Sequence, residues 1–229
     1  MRSKGEGIGL LAAAVLLAAC AASGAPDSAL EQKFTWYRYL AGDDLRTSCA
    51  ADGPIRFRFV YNAEFTKEVR ALDLDAAPGQ GGWLESRRYR GARVLDVQSA
   101  GIANRPDTAA VFLNAAQVDG LLDAVVASGF AEPPETGLIL RSDTHYGVAS
   151  GCRGGEFRLH GYGWSKLAGL AFADDLRNLD PLGVAWPTPL DTGARSDAGR
   201  DTSGDARESS DPFFVIELGH FGLRGVNEW

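Results

Sequence analysis

Residues 55–61, Ile-Arg-Phe-Arg-Phe-Val-Tyr, alternate with a period of two. That pattern restricts the chain to folds built on a half-buried β-sheet. Ile55, Phe57, Phe59 and Tyr61 share one face of the strand, and Arg56 and Arg58 point the other way. A short turn at 62–64 leads to a returning strand over 65–74. Pro78-Gly79-Gln80-Gly81-Gly82 is a loop signal. Strands at 83–90 and 93–99, split at Gly91, follow. Four strands joined by short turns favour an antiparallel meander.

The apolar period changes at Asn114. Val118, Leu121, Leu122, Val125 and Val126 fall at i, i+3, i+4, i+7 and i+8, which is one stripe of an amphipathic helix. Asn114 is placed to cap it, with Gln117 three residues on to close a capping box, and Gly129 ends it. The spacing predicts a helix over 114–128 whose stripe packs on the apolar face of the sheet. Strand patterns return at 138–141, 144–149 and 156–162, with a turn at 150–155. A weaker spacing (Leu167, Leu170, Ala171, Leu176, Leu179) predicts a second helix over 167–179, stopped by Pro181. A last strand at 213–218 is expected to rejoin the same sheet. The expected fold class is α+β, an antiparallel meander with one main amphipathic helix packed on one face.

The N-terminus carries a different signal. Arg2 and Lys4 precede an apolar run over residues 8–17, and Leu17-Ala18-Ala19-Cys20 closes it. This is the layout of a secretory signal peptide, too short to be a stable membrane span. With a cysteine behind the small residues, it closely resembles the lipobox of bacterial lipoproteins, over about the first 22 residues. The resemblance implies removal of residues 1–19. It also implies a diacylglyceryl group on the Cys20 thiol and fatty acylation, such as palmitate, of the new amine. Two or three chains are what stable anchoring needs, since one binds only marginally. Ala21 stands where an Asp would retain such a protein at the inner membrane, which leans the location toward the outer membrane. Residues 20–29 contain no large apolar side chain and read as a tether.

Cleavage would leave about 210 residues, enough for one α+β domain over 30–189. Residues 191–211 hold six acids, three arginines and no large apolar side chain. The stretch 190–211 is therefore expected to be a disordered acidic loop, with 212–229 returning to the domain as its final strand and tail. The leader's Arg2, Lys4 and Glu6 sum to +1, so the net charge of −7 becomes −8 in the mature chain. That balance argues against nucleic acid and against adhesion to anionic lipid. With Cys20 assigned to lipid, Cys49 and Cys152 remain. In an oxidising envelope the pair reads as a disulfide, with free thiols as the alternative.

Motifs of catalysis are missing: no Gly-x-Ser-x-Gly, no His-Glu-x-x-His and no phosphate-binding loop occurs. No cofactor or metal site is called for. The histidines are His145, His160 and His220. Asp143 and His145 lie two apart, and His160 sits on the expected hairpin partner. The three could meet across the ladder around a metal, or stand as ordinary strand residues. Asp43-Asp44 and Asp174-Asp175 read as solvated pairs. Phe34, Trp36, Tyr37, Tyr39, Trp83, Trp164, Trp186 and Trp229 are core residues by default, or a stacking surface where exposed. Arg87, Arg88, Arg90 and Arg93 form either a basic patch for an acidic partner or a strand face paired with nearby acids.

These readings lead first to a lipid-anchored envelope protein facing the periplasm. It would act as a non-enzymatic binding or accessory module for another envelope protein or for cell-wall material. The second reading is a periplasmic hydrolase or metal-dependent enzyme around Asp143, His145 and His160. The third is a carrier of an apolar ligand.

Overall fold

The structure is a computed structural model and describes residues 36–90, 106–192, 214–220 and 222–226. Its centre is a six-stranded antiparallel sheet. Strands β1 (Ile55–Ala63), β2 (Glu68–Ala77), β3 (Gly81–Arg90) and β4 (Asp107–Leu113) run as a meander away from β1. On the other side of β1 lie β6 (His145–Arg153) and β7 (Glu156–Gly163), giving the order β4-β3-β2-β1-β6-β7. The fold is the α+β meander that the alternation at 55–61 implies.

Helix α2 (Ala115–Val125) crosses one face, and α1 (Asp43–Thr47) lies on the opposite one. Asn114 and Gln117 form the reciprocal capping box, at 3.0 Å for each bond. The helix ends in a wide turn, Val126–Phe130, where Gly129 takes a φ of +84°. The second helix is shorter than its sequence pattern. Residues 164–170 form a separate turn, Trp164–Leu167, and α3 (Ala171–Leu179) starts only at the extended Leu170. Between helices and sheet, Phe57 and Phe59 meet Phe172 edge-on at 6.1 and 5.5 Å, with Phe130 against Phe57 at 5.8 Å. Val118, Leu121, Leu122 and Val125 complete this layer, whereas Val126, the last residue of the predicted stripe, is exposed where the helix gives way to the wide turn.

The last strand corrects an expectation. It does not join the main sheet. β8 (Val215–Gly219) lies between β5 (Ile139–Arg141) and β9 (Gly222–Val226) in a separate three-stranded sheet. The physical cause is the second face of the main sheet. Val60, Val69, Ala71 and Val148 point away from the helices and need cover, and Leu140, Ile216 and Leu218 pack on them with Leu40. Stacking buries these residues where pairing at an edge would not.

Two further boundaries shift. The strand expected at 93–99 lies outside the described residues, and the strand paired with β3 is β4 at 107–113. β6 runs on through Cys152 to Arg153, so the turn expected at 150–155 shrinks to Gly154–Gly155, both with positive φ, the pattern of a tight hairpin. The acidic stretch from 190 begins inside a short helical turn, Pro189–Thr192, and residues 193–213 lie outside the described residues.

Cys49 and Cys152 form a disulfide with a Cα–Cα distance of 5.5 Å. It ties the chain after α1 to the tip of the β6–β7 hairpin.

Candidate functional site

Cys20 lies outside the described residues. The constellation of Asp143, His145 and His160 is not assembled. His145 and His160 do share the helix-facing side of the sheet. His160, however, pairs opposite Ala149, four residues along β6 from His145, which separates the two by about 13 Å of strand rise. Asp143 precedes β6, and its carboxylate accepts from Arg141 at 3.1 and 3.2 Å. Among the described residues, no group of three His, Cys, Asp or Glu side chains stands where it could hold a metal.

Each histidine has its own surroundings. The His145 ring lies edge-on to Trp164 at 5.5 Å, and its Nδ1 is 2.8 Å from the Tyr61 hydroxyl. That hydroxyl is also bonded to the Pro187 carbonyl, which can only accept. The Tyr61 proton therefore goes to Pro187, and Nδ1–H of a neutral His145 donates to Tyr61. Desolvation, with Lys67 nearby, pushes the His145 pKa down to about 4. His160 packs on Phe130 at 4.9 Å, and burial lowers its pKa too. His220 lies in the turn between β8 and β9.

Beside Tyr61 sits a buried ionic centre that no sequence motif announces. Arg70 is fully buried. Its Nε donates to Glu68 at 2.6 Å, and its Nη1 to Asp180 and to the Val184 carbonyl at 2.7 Å each. Its Nη2 donates to the Ala185 carbonyl at 2.9 Å. Asp180 also accepts from the Trp186 indole at 2.8 Å, and that indole stacks on Tyr61 at 5.1 Å. The segment 180–187 is thus strapped across the end of the sheet. The Arg70, Asp180 and Trp186 side chains are all engaged within this centre, so the arrangement positions the segment 180–187.

The arginine run resolves in the same way. Arg87 pairs with Asp73 and Glu85 at 3.0 and 2.7 Å, Arg88 with Glu68 at 2.7 Å, and Arg90 with Asp107 at 3.1 Å. Arg93 lies outside the described residues. Arg87, Arg88 and Arg90 pair with nearby acids on both faces of β3, and a basic patch awaiting an acidic partner is not what residues 87–90 form. On the outer face, Arg58 is clamped between Asp44 and Asp73 beneath the Tyr39 ring, 3.6 Å from its centroid. Asp174 pairs with Arg177. Neither aspartate pair forms an acid–base couple.

The aromatics divide. Trp36 packs against Tyr39, Phe65 and Tyr89, and Trp186 is core. Trp83 is 58% exposed and Phe112 52% exposed. They sit opposite each other on β3 and β4, edge to face at 5.5 Å. Gly81 is what lets the strands close here. A Cβ on it would come within 2.4 Å of the Leu113 carbonyl and 3.1 Å of the Phe112 ring. Alongside, Thr108 and Ala110 are exposed on the same side of β4. Among the described residues β4 ends the order of the main sheet; Pro106 stands directly before it and Asp107 opens it, and residues 108–113 carry neither Pro nor charge, two of the devices that usually blunt a sheet edge. Phe112 escaped the sequence reading because small neighbours, Ala109 and Ala110, blur the alternation.

Comparison of the chain with protein-family models, with curated proteins and with solved structures finds no match.

Proposed function

We propose that this chain is a lipid-anchored protein of the bacterial cell envelope, held through Cys20 and facing the periplasm. It acts there as a non-enzymatic binding or accessory module for another envelope protein. The leader sequence supports the anchor, and Ala21 leans it toward the outer membrane. The Cys49–Cys152 disulfide supports an oxidising compartment. The observation that carries the binding reading is the Trp83–Phe112 pair, two large aromatic rings exposed beside the edge strand β4, whose residues 108–113 carry no charge. Large aromatics are the residues that most often dominate protein interfaces, and a strand edge offers main-chain groups to a partner strand.

The test is cross-linking in intact envelopes, with a photoactivatable residue replacing Ala110 beside the pair. Adducts are identified by mass spectrometry, and a Cys20→Ser strain serves as control. One stoichiometric protein partner, lost when Cys20 is replaced, is the expected result. Adducts spread over unrelated proteins, or none from a correctly anchored chain, would overturn the reading.

A further inference from the structure

Trp83 stands directly opposite Asp75 in the β2–β3 pairing, on the same outer face as Phe112. Opposed side chains of this kind are roughly 5 Å apart at Cβ, so whatever covers the Trp83 ring also covers the Asp75 carboxylate. The Asp75 side chain is 60% exposed. Arg56 brings its Nε to 3.3 Å from one carboxylate oxygen without completing a hydrogen bond, and gives its Nη1 to Ser48. The other oxygen of Asp75 has no partner among the described residues.

That carboxylate decides what can dock on the rings. An apolar side chain laid on Trp83 would strip water from the second oxygen and leave it unpaired, at a cost in free energy. A guanidinium does the opposite. Its plane stacks on an indole, the best of the aromatic rings for a cation, and its N–H fork reaches a carboxylate. Two residues along β2, on the same face, the protein builds this arrangement from its own side chains. Arg58 lies 3.6 Å from the centroid of the Tyr39 ring and donates to Asp73 at 2.6 Å. The row of Asp75, Trp83 and Phe112 has the carboxylate and the rings, and among the described residues no cation lies over either ring. The net charge of −7 favours the approach of a basic group from outside.

We infer that the partner docking on this surface is a protein with an exposed basic segment, which places an arginine on Trp83 and pairs it with Asp75. The Phe112 ring, at 72° to the indole, closes one side of the seat. The inference rests on the reading of Trp83 and Phe112 as a docking surface and names the chemistry that the surface selects.

The first test needs no partner. The full chain in mild detergent, labelled at its five tryptophans, is titrated with N-acetylarginine methylamide and, separately, with the neutral N-acetylcitrulline methylamide. NMR follows the Trp83 indole signal, identified as the one missing from Trp83→Phe. The arginine compound should shift that signal saturably and bind about fivefold more tightly than the citrulline compound, the gain of a cation on an exposed ring beside a carboxylate. Asp75→Asn gives up only a surface ion pair of little weight in folding, and it should lose most of that preference, while Asp75→Glu keeps part of it. In the envelope cross-linking, Asp75→Asn should lower capture of the partner as loss of the two rings does. Equal binding of the two compounds, no saturable shift, or a preference unchanged in Asp75→Asn would each overturn the inference. Capture lost with Trp83→Ser and Phe112→Ser but unchanged in Asp75→Asn would overturn the arginine and leave the docking surface standing. Capture unchanged in both would remove the surface, and the arginine with it.

Discussion

A buried arginine brings five N–H donors and a charge out of water, and the protein must answer them from within. Arg70 answers four of them with Glu68, Asp180 and two main-chain carbonyls. Removing one side of such a centre leaves the other uncompensated, at a cost of about 3–5 kcal/mol. Arg70→Met should therefore lower the unfolding free energy by about that amount in urea titration, and a loss below ~1 kcal/mol would show the centre to be incidental. His145 makes a second prediction at this scale. Its folded pKa of about 4 lies below the ordinary 6.5, so the unfolded chain binds the extra proton between those values. Stability held through neutral His145 is complete above pH 6.5 and is lost as the pH falls toward 4, on the order of 3 kcal/mol. His145→Asn, which keeps a donor for Tyr61 and cannot titrate, should flatten that part of the stability–pH curve. An unchanged slope would contradict the neutral Tyr61–His145–Pro187 arrangement. The sequence drew attention to His145, but with partners it does not have, and it drew none to Arg70. Arg70 meets Asp180 and Tyr61 meets His145 only through tertiary structure, and local periodicity carries no trace of partners so distant in the chain.

Elements defined by their own side chains were legible, and elements defined by what they cover were not. β1 follows from its strict alternation, and α2 from its stripe and from Asn114, whose cap needs only residues within one turn. β4 was hidden because Ala109 and Ala110 give it little apolar contrast. The second sheet was hidden for a different reason. Val215–Leu218 reads as a strand in any fold, and only the bare outer face around Val60 and Val148 decides that it stacks and does not pair. The disulfide was legible from compartment and count; it fastens α1, five residues long with only Leu45 buried, beside the Asp44–Arg58 ion pair. Replacing Cys49 and Cys152 by Ser together should lower stability by about 2–5 kcal/mol, with the chain-entropy estimate for so long a loop near the upper end. Urea unfolding of the oxidised protein against the double variant measures it. The Cys49→Ser single variant should match the double variant, because either change opens the same loop.

At the scale of the whole molecule, the main sheet is covered unevenly. Helices α2 and α3 cover one face, and the three-stranded sheet with residues 36–42 covers the middle of the other. The outer face of β3 and β4 extends beyond that cover, which is why Trp83 and Phe112 lie in solvent while the same ring types elsewhere, such as Trp186 and Phe59, are buried. Location on the molecule, and not residue type, separates the candidate surface from the core, so the sequence could name Trp83 as an aromatic of interest without saying which role it has. The two roles have opposite mutational signatures. A core aromatic cut back to Ala costs about 3–5 kcal/mol of stability, as Phe172→Ala should. An exposed pair contributes little to folding, so Trp83→Ser with Phe112→Ser should leave the urea midpoint within about 0.5 kcal/mol of the parent. If the pair is a docking surface, the same double variant should reduce the yield of the cross-linked envelope partner at least tenfold, the effect of losing roughly 1.4 kcal/mol or more at an interface centre. Full stability with lost capture assigns these rings to binding. Full stability with unchanged capture removes the Trp83–Phe112 surface from the account and leaves the anchor without its partner site.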